Sequence, residues 1–367
     1  MAGLATSMSV IDACGRAGVS ALLISDPGVG KSSVVRCLAA AEGVPVETVI
    51  GSQREPQDIA GYPVLRDGAL VLAPPRYATN LIEAGGGYLF LDELTTCPPS
   101  TQAPMLTVAL EHVVGDTVLP DSVRVVAGAN PPDRAAGGYD LTPPLANRFC
   151  HIDFAPTVDE WLEGFVTGFS APPRSGAVAA DDVTRAAERG YVAAFIQCRP
   201  ELLHRYPTND ADSSGPWPSR RSWTMVAGVL AHLRDDDSDA RTVAVCGLVG
   251  AAAGAEYLAY RAACDLPAPD AVVNDPSIVD WSDRPDRVWA VLSGVIAWAN
   301  ARGTKDAWIR AWGPVAAAAE VAPDVAGSAA RALASARPAN ATIPKAARAF
   351  RSALVAAGMT ADVDGAA

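Results

Sequence analysis

Ala21-Leu22-Leu23-Ile24-Ser25-Asp26-Pro27-Gly28-Val29-Gly30-Lys31-Ser32 is the stretch that decides the fold. Its apolar opening reads as a buried parallel strand. The following Ser33-Val34-Val35-Arg36-Cys37-Leu38 reads as a helix. A strand, a Gly-containing loop and a helix form the setting that separates a phosphate-binding loop from a chance match. Gly28 and Gly30 reach backbone angles closed to other residues, so amide N–H groups can converge on phosphate oxygens. The helix N-terminus adds its positive end. Lys31 is expected to reach the β- and γ-phosphates of ATP, and Ser32 to offer a hydroxyl to Mg²⁺. The expected nucleotide-binding set is Asp26, Pro27, Gly28, Val29, Gly30, Lys31, Ser32 and Ser33. Ser25 stands where the usual pattern opens with Gly.

Downstream, Tyr88-Leu89-Phe90-Leu91-Asp92-Glu93 reads as a second buried strand that ends in two carboxylates. Ligands bind at the C-terminal edge of open α/β sheets, so Asp92 is placed to hold Mg²⁺. Glu93 is placed to polarise a water for attack on the γ-phosphate. Asn130 closes the strand Val126-Ala127-Gly128-Ala129 and could orient that water. The alternative is an Asn that favours the turn before Pro131-Pro132. Arg148, in Leu145-Ala146-Asn147-Arg148-Phe149, could stabilise transition-state charge, in its own site or a neighbour's. It could equally compensate the end of its helix. Arg134 is a weaker candidate of the same kind. Arg221 opens a helix and could report on the γ-phosphate; the alternative is a surface charge at a helix start, and with Arg220 beside it local sequence does not decide.

Strands alternating with helices up to about residue 155 predict a parallel, doubly wound α/β sheet. Beyond it, helical periodicity dominates. Two hairpins are expected, one around Asp67-Gly68 and a smaller one at Gly115-Asp116. The 367 residues suffice for two or three domains. The formal net charge of −12 argues against broad nucleic-acid coating, which rests on Lys and Arg. Seven Cys without C-x-x-C spacing and only four His suggest no zinc site. Cysteines inside apolar runs read as reduced core residues, so a cytoplasmic protein is expected. No signal peptide or membrane span is read from the sequence.

In this order, these motifs resemble the AAA+ ATPases, and specifically the MoxR-like branch grouped with dynein-related ATPases. The resemblance extends to Glu55-Pro56-Gln57-Asp58-Ile59-Ala60-Gly61, Leu91-Asp92-Glu93-Leu94, Pro98-Pro99-Ser100-Thr101-Gln102, Asn130-Pro131 and Leu141-Thr142-Pro143-Pro144-Leu145-Ala146-Asn147-Arg148-Phe149. It implies Walker A at the Lys31 loop, Walker B at Asp92 and Glu93, and sensor 1 at Asn130. It also implies an arginine finger at Arg148 acting on a neighbour, and sensor 2 at Arg221. Thr95-Thr96 replaces an Asn-Arg pair common in the family. The implied organisation is an AAA+ core over 1–155, a helical lid over 156–235 and a helical extension over 236–367. The implied activity is ATP hydrolysis with Mg²⁺ in a self-assembled ring, a hexamer, that remodels a protein partner. A protein with a von Willebrand factor A domain is the partner the family suggests. The hairpin at Asp67-Gly68 corresponds to an insert that faces the ring's pore or partner surface. Two alternatives stand beside this: a nucleic-acid motor resembling the McrB-type restriction GTPases, and a nucleotide-binding scaffold with little turnover.

Overall fold

The computed structural model describes residues 1–131, 138–167, 175–264 and 266–356. In chain order the first elements are α1 (Leu4–Arg16), β1 (Ser20–Ile24), α2 (Lys31–Glu42), β2 (Val46–Ile50), α3 (Pro56–Ala60), β3 (Tyr62–Arg66), β4 (Ala69–Ala73), α4 (Arg76–Glu83) and β5 (Gly87–Asp92). Then come α5 (Pro99–Glu111), β6 (Val113–Val114), β7 (Thr117–Val118), β8 (Val123–Ala129), α6 (Pro143–Ala146), β9 (Phe149–Asp153) and α7 (Val158–Thr167). The remainder is helical: α8 (Asp182–Cys198), α9 (Asp210–Ser213), α10 (Arg220–Leu230), α11 (Ser238–Val249), α12 (Ala251–Ala263), α13 (Pro269–Asn274), α14 (Pro285–Arg302), α15 (Lys305–Ala319), α16 (Pro323–Ser335) and α17 (Arg351–Ala356).

β2, β5, β8, β1 and β9 lie side by side in that order, and all their pairings are parallel. Residues 20–23 and 87–91 are buried throughout, as strands covered on both faces must be. The predicted α/β core followed by a helical region is therefore what the chain forms. Because the sheet is parallel, the ends of β1, β5 and β8 share one edge. Ile24 is level with Ala129, and Leu91 with Ala127. β9 runs beside β1 with Phe149 opposite Ser20, so Arg148 stands at the opposite, N-terminal edge.

Both expected hairpins form. Val64 pairs with Val71 across a turn whose central residues, Asp67 and Gly68, have φ of 51° and 79°. Two positive φ angles are what a two-residue Asp-Gly turn requires. Tyr62, Leu65 and Leu70 of this hairpin remain exposed.

By compactness the chain divides into residues 1–179 with 204–255, and residues 180–203 with 256–367. The sequence boundaries at 155 and 235 mark changes of residue pattern, whereas packing groups the residues differently. α10 and α11 pack on α1, and α11 also on β9, within the first unit. That close approach rests on Gly247: a Cβ there would meet the His151 carbonyl oxygen at 2.1 Å. In the second unit Trp298, Trp308 and Trp312 are fully buried, and Trp308 Nε1 donates to the Leu333 oxygen at 2.7 Å. α16 contributes Ala326, Ala329, Ala330, Leu333 and Ala334, the spacing of one buried helix face. All seven cysteines are free thiols. No helix among the described residues is long and apolar enough to cross a membrane.

Candidate nucleotide site

The loop after β1 is open and shaped by its glycines. Gly28 and Gly30 have φ of 83° and 107°, and an added Cβ would meet nothing within 4 Å at either. Their requirement is therefore conformational rather than steric. Gly30 caps α2 without a side-chain hydrogen bond; the Ser33 N–H donates to the Gly30 carbonyl at 3.0 Å, and the Lys31 and Ser32 N–H groups open the helix at the loop. Asp26, Pro27, Gly28 and Ser33 are exposed, and Val29, Lys31 and Ser32 are half-buried. An open cradle of backbone donors at a helix start fits a polyphosphate.

Lys31 Nζ donates to Asn130 Oδ1 at 2.8 Å and to the Ser25 carbonyl at 2.9 Å. Lys31 and Asn130, 99 residues apart, are thus brought together. Burial pushes the Lys31 ammonium below its ordinary pKa, and Asp92 and Asp26 oppose that. Asp92 is raised by burial, against the pull of the Glu93 backbone N–H and Lys31. Its Oδ1 accepts from the Glu93 N–H at 2.9 Å. Gly128 makes room for it: a Cβ there would meet Asp92 Oδ1 at 2.8 Å and the Phe90 ring at 3.0 Å. Ser32 lies in the first turn of α2 and is half-buried; its hydroxyl and the Asp92 carboxylate are oxygen donors of the kind Mg²⁺ takes.

Glu93 adopts φ 57°, a left-handed conformation uncommon for a residue with a Cβ. Its carboxylate accepts a hydrogen bond from the Ser52 hydroxyl. Thr96 Oγ1 donates to the Glu93 carbonyl at 2.8 Å. Thr95 Oγ1 donates to the Asn130 carbonyl and accepts from the Asn130 N–H, both at 3.3 Å. The Thr95-Thr96 pair thus braces the carboxylate turn against the end of β8.

Arg148 and Arg221 form a separate group. Burial and the nearby Arg221 cation hold the Arg148 guanidinium below its ordinary pKa, with Glu111 opposing. Arg148 donates to the Pro144 carbonyl, while its Nε is buried without an acceptor. The two arginines are brought together by Asn147. Its Nδ2 donates to the Trp217 carbonyl at 2.9 Å, and its Oδ1 accepts from Ser219 Oγ at 2.7 Å. Ser219 caps α10, which begins at Arg220 and carries Arg221 in its first turn. Arg220 and Arg221 are both exposed, and the proximity to Arg148 belongs to Arg221. Arg134 lies outside the described residues.

Sequence reasoning assigned no role to Ser52, Thr95, Gly128 or Asn147. Ser52 had one available signal: it is a hydroxyl just beyond the end of β2, a strand whose Ile50 is level with Asp92. The other three act through contacts that span tens of residues, which no local pattern encodes.

No curated protein matches the chain. Among solved structures it is similar to a putative ATPase from Cytophaga hutchinsonii, at 15% identity and a TM-score of 0.40, over 67% of this chain and 76% of that one. Residues 20–149 match the family model of the AAA domain, dynein-related subfamily. They run from β1 to the start of β9 and include the phosphate loop, Asp92, Glu93, Asn130 and Arg148, so over that stretch the chain carries an AAA domain of the dynein-related subfamily.

Proposed function

We propose that the chain is an ATPase that works as a ring of identical subunits. The observation that carries this is the meeting of Lys31, Asp92, Glu93 and Asn130 at one sheet edge. ATP is the substrate. The loop 26–33 grips its phosphates and Lys31 meets the β- and γ-phosphates. Ser32 and Asp92 would hold Mg²⁺, which neutralises phosphate charge when bound. Glu93 takes a proton from the attacking water, whose oxygen bonds to the γ-phosphorus as the bond to ADP breaks. Asn130 orients that water. Arg148 and Arg221 serve a neighbour's site, because Arg148 stands at the far edge of its own sheet.

The finer reading is a MoxR-type hexamer that remodels a protein partner with a von Willebrand factor A domain. The exposed Tyr62, Leu65 and Leu70 on the β3–β4 hairpin support a protein-facing surface. The test of the core reading is phosphate release and calorimetric ATP binding by wild type, Lys31→Ala and Glu93→Gln. Lys31→Ala should lose binding. Glu93→Gln should bind ATP but lose about 10²-fold or more in turnover, the usual share of a general base. Wild-type turnover in Glu93→Gln would remove Glu93 from the mechanism.

A further inference from the structure

Ser25 is the point where the phosphate loop departs from its usual opening Gly, and the structure places its hydroxyl on the lysine. Ser25 is 7% exposed. Its N–H bonds the Ala129 carbonyl at 3.3 Å, which extends the β1–β8 pairing and sets Ser25 beside Asn130. Lys31 Nζ lies 3.2 Å from Ser25 Oγ, 2.9 Å from the Ser25 carbonyl, 3.3 Å from the Asp26 carbonyl and 2.8 Å from Asn130 Oδ1. The hydroxyl's own proton goes to the Asp26 carbonyl at 3.1 Å, which leaves a lone pair for the ammonium. An ammonium has three protons, and here four acceptors surround it. Without the Ser25 hydroxyl, as with Gly at position 25, three acceptors remain for the three protons, so the hydroxyl is a fourth that competes for a proton with the others and with an incoming phosphate. The lysine is thus fully engaged by the chain before any phosphate arrives.

We propose that the Ser25 hydroxyl is a positioning residue that holds Lys31 back against Asn130 and so weakens ATP binding. This rests on the ATPase reading above. A phosphate oxygen must take over protons that Ser25 and Asn130 now accept, and each hydrogen bond surrendered subtracts from affinity. Ser25 does not have a positive φ, so Ala fits its backbone and deletes the hydroxyl alone.

The test is calorimetric titration of Mg·ATP into wild type, Ser25→Ala, Ser25→Thr and Lys31→Ala, with thermal melting to verify folding. Ser25→Ala should bind about threefold tighter, the low end of one net hydrogen bond, because the hydroxyl shares its proton with another acceptor. Ser25→Thr restores the hydroxyl and should return affinity to the wild-type value, which a packing effect of the Ala change would not predict. Equal or weaker binding by folded Ser25→Ala overturns the proposal while leaving the ATPase reading intact, provided wild type binds and Lys31→Ala does not. If wild type binds no ATP, both fall. If Ser25→Ala loses its fold, Ser25→Gly is titrated in its place and must show the same tightening.

Discussion

Replacing Arg148 with Ala should abolish turnover without touching the chain's own nucleotide loop. Phe149 is level with Ser20, and β1 runs five residues from there to Ile24 before the loop begins. At about 3.3 Å per residue, Arg148 stands roughly 16 Å of strand away from the edge that holds Lys31. A side chain whose guanidinium already bonds the carbonyl four residues earlier does not cross that distance. On the proposed reading its effect is on a second copy. Arginine fingers contribute about 10³–10⁵ in rate in phosphoryl transfer, so Arg148→Ala should fall close to background. Two signatures follow. Turnover per chain should rise with protein concentration as subunits assemble. Inactive Arg148→Ala chains mixed with inactive Lys31→Ala chains should regain part of the activity, because some interfaces then pair an intact loop with an intact Arg148. Phosphate release across a mixing series, with assembly followed by light scattering, reads both. A monomer whose rate is independent of concentration would refute the reasoning. So would mixed assemblies, shown to form, in which no activity returns and single-site dilution with wild type shows that partial rings are active.

Two further outcomes are expected. Ser52→Ala should raise basal ATP turnover about three- to tenfold, since the Ser52 hydroxyl occupies the Glu93 carboxylate that must face water; a fall in turnover with ATP binding unchanged would instead make Ser52 a contributor to catalysis. The fold should lose stability as pH drops below about 6.5, the ordinary His value, because burial lowers the His151 pKa. The unfolded chain then takes up a proton that the folded one refuses, so stability is present above that pH and declines below it. Urea midpoints of wild type and His151→Gln between pH 5 and 8 should fall more steeply in wild type, with half-buried His112 contributing to the slope that remains, and parallel slopes would count against His151.

The core of the fold was legible because its signals are local. Buried apolar runs of strand length, the Gly28 and Gly30 turn and the Asp67-Gly68 hairpin each act within a few residues. Lys31, Asp92 and Asn130 could be placed together because parallel strands bring their C-terminal ends to one edge whatever lies between. The grouping of α10 and α11 with the sheet was not legible. It depends on a missing side chain at Gly247 against His151, a contact across 96 positions that helical periodicity does not record. The same holds for Arg221. Local sequence could not choose it over Arg220; Arg221 is the one of the two whose charge acts on Arg148, across 73 positions.

The two edges of the sheet differ in how well their charges are satisfied, which is consistent with the proposed assembly. At the C-terminal edge every reactive group has a partner: Lys31 has Asn130, Asp92 has the Glu93 N–H, and Glu93 has Ser52. At the other edge two cations sit together, and a buried Arg148 N–H lacks an acceptor. Like charges held close cost free energy unless an anion joins them, and a buried donor without an acceptor costs more. Asn147 nonetheless spends two hydrogen bonds on keeping that arrangement. Glu111 already offsets part of this charge, and in the proposed ring the polyphosphate held by a second copy would supply a further anion. Contact between unlike edges is head-to-tail. Repeated around a closing rotation it produces a ring, in which each nucleotide would be gripped by one chain's loop and neutralised by the next chain's arginines.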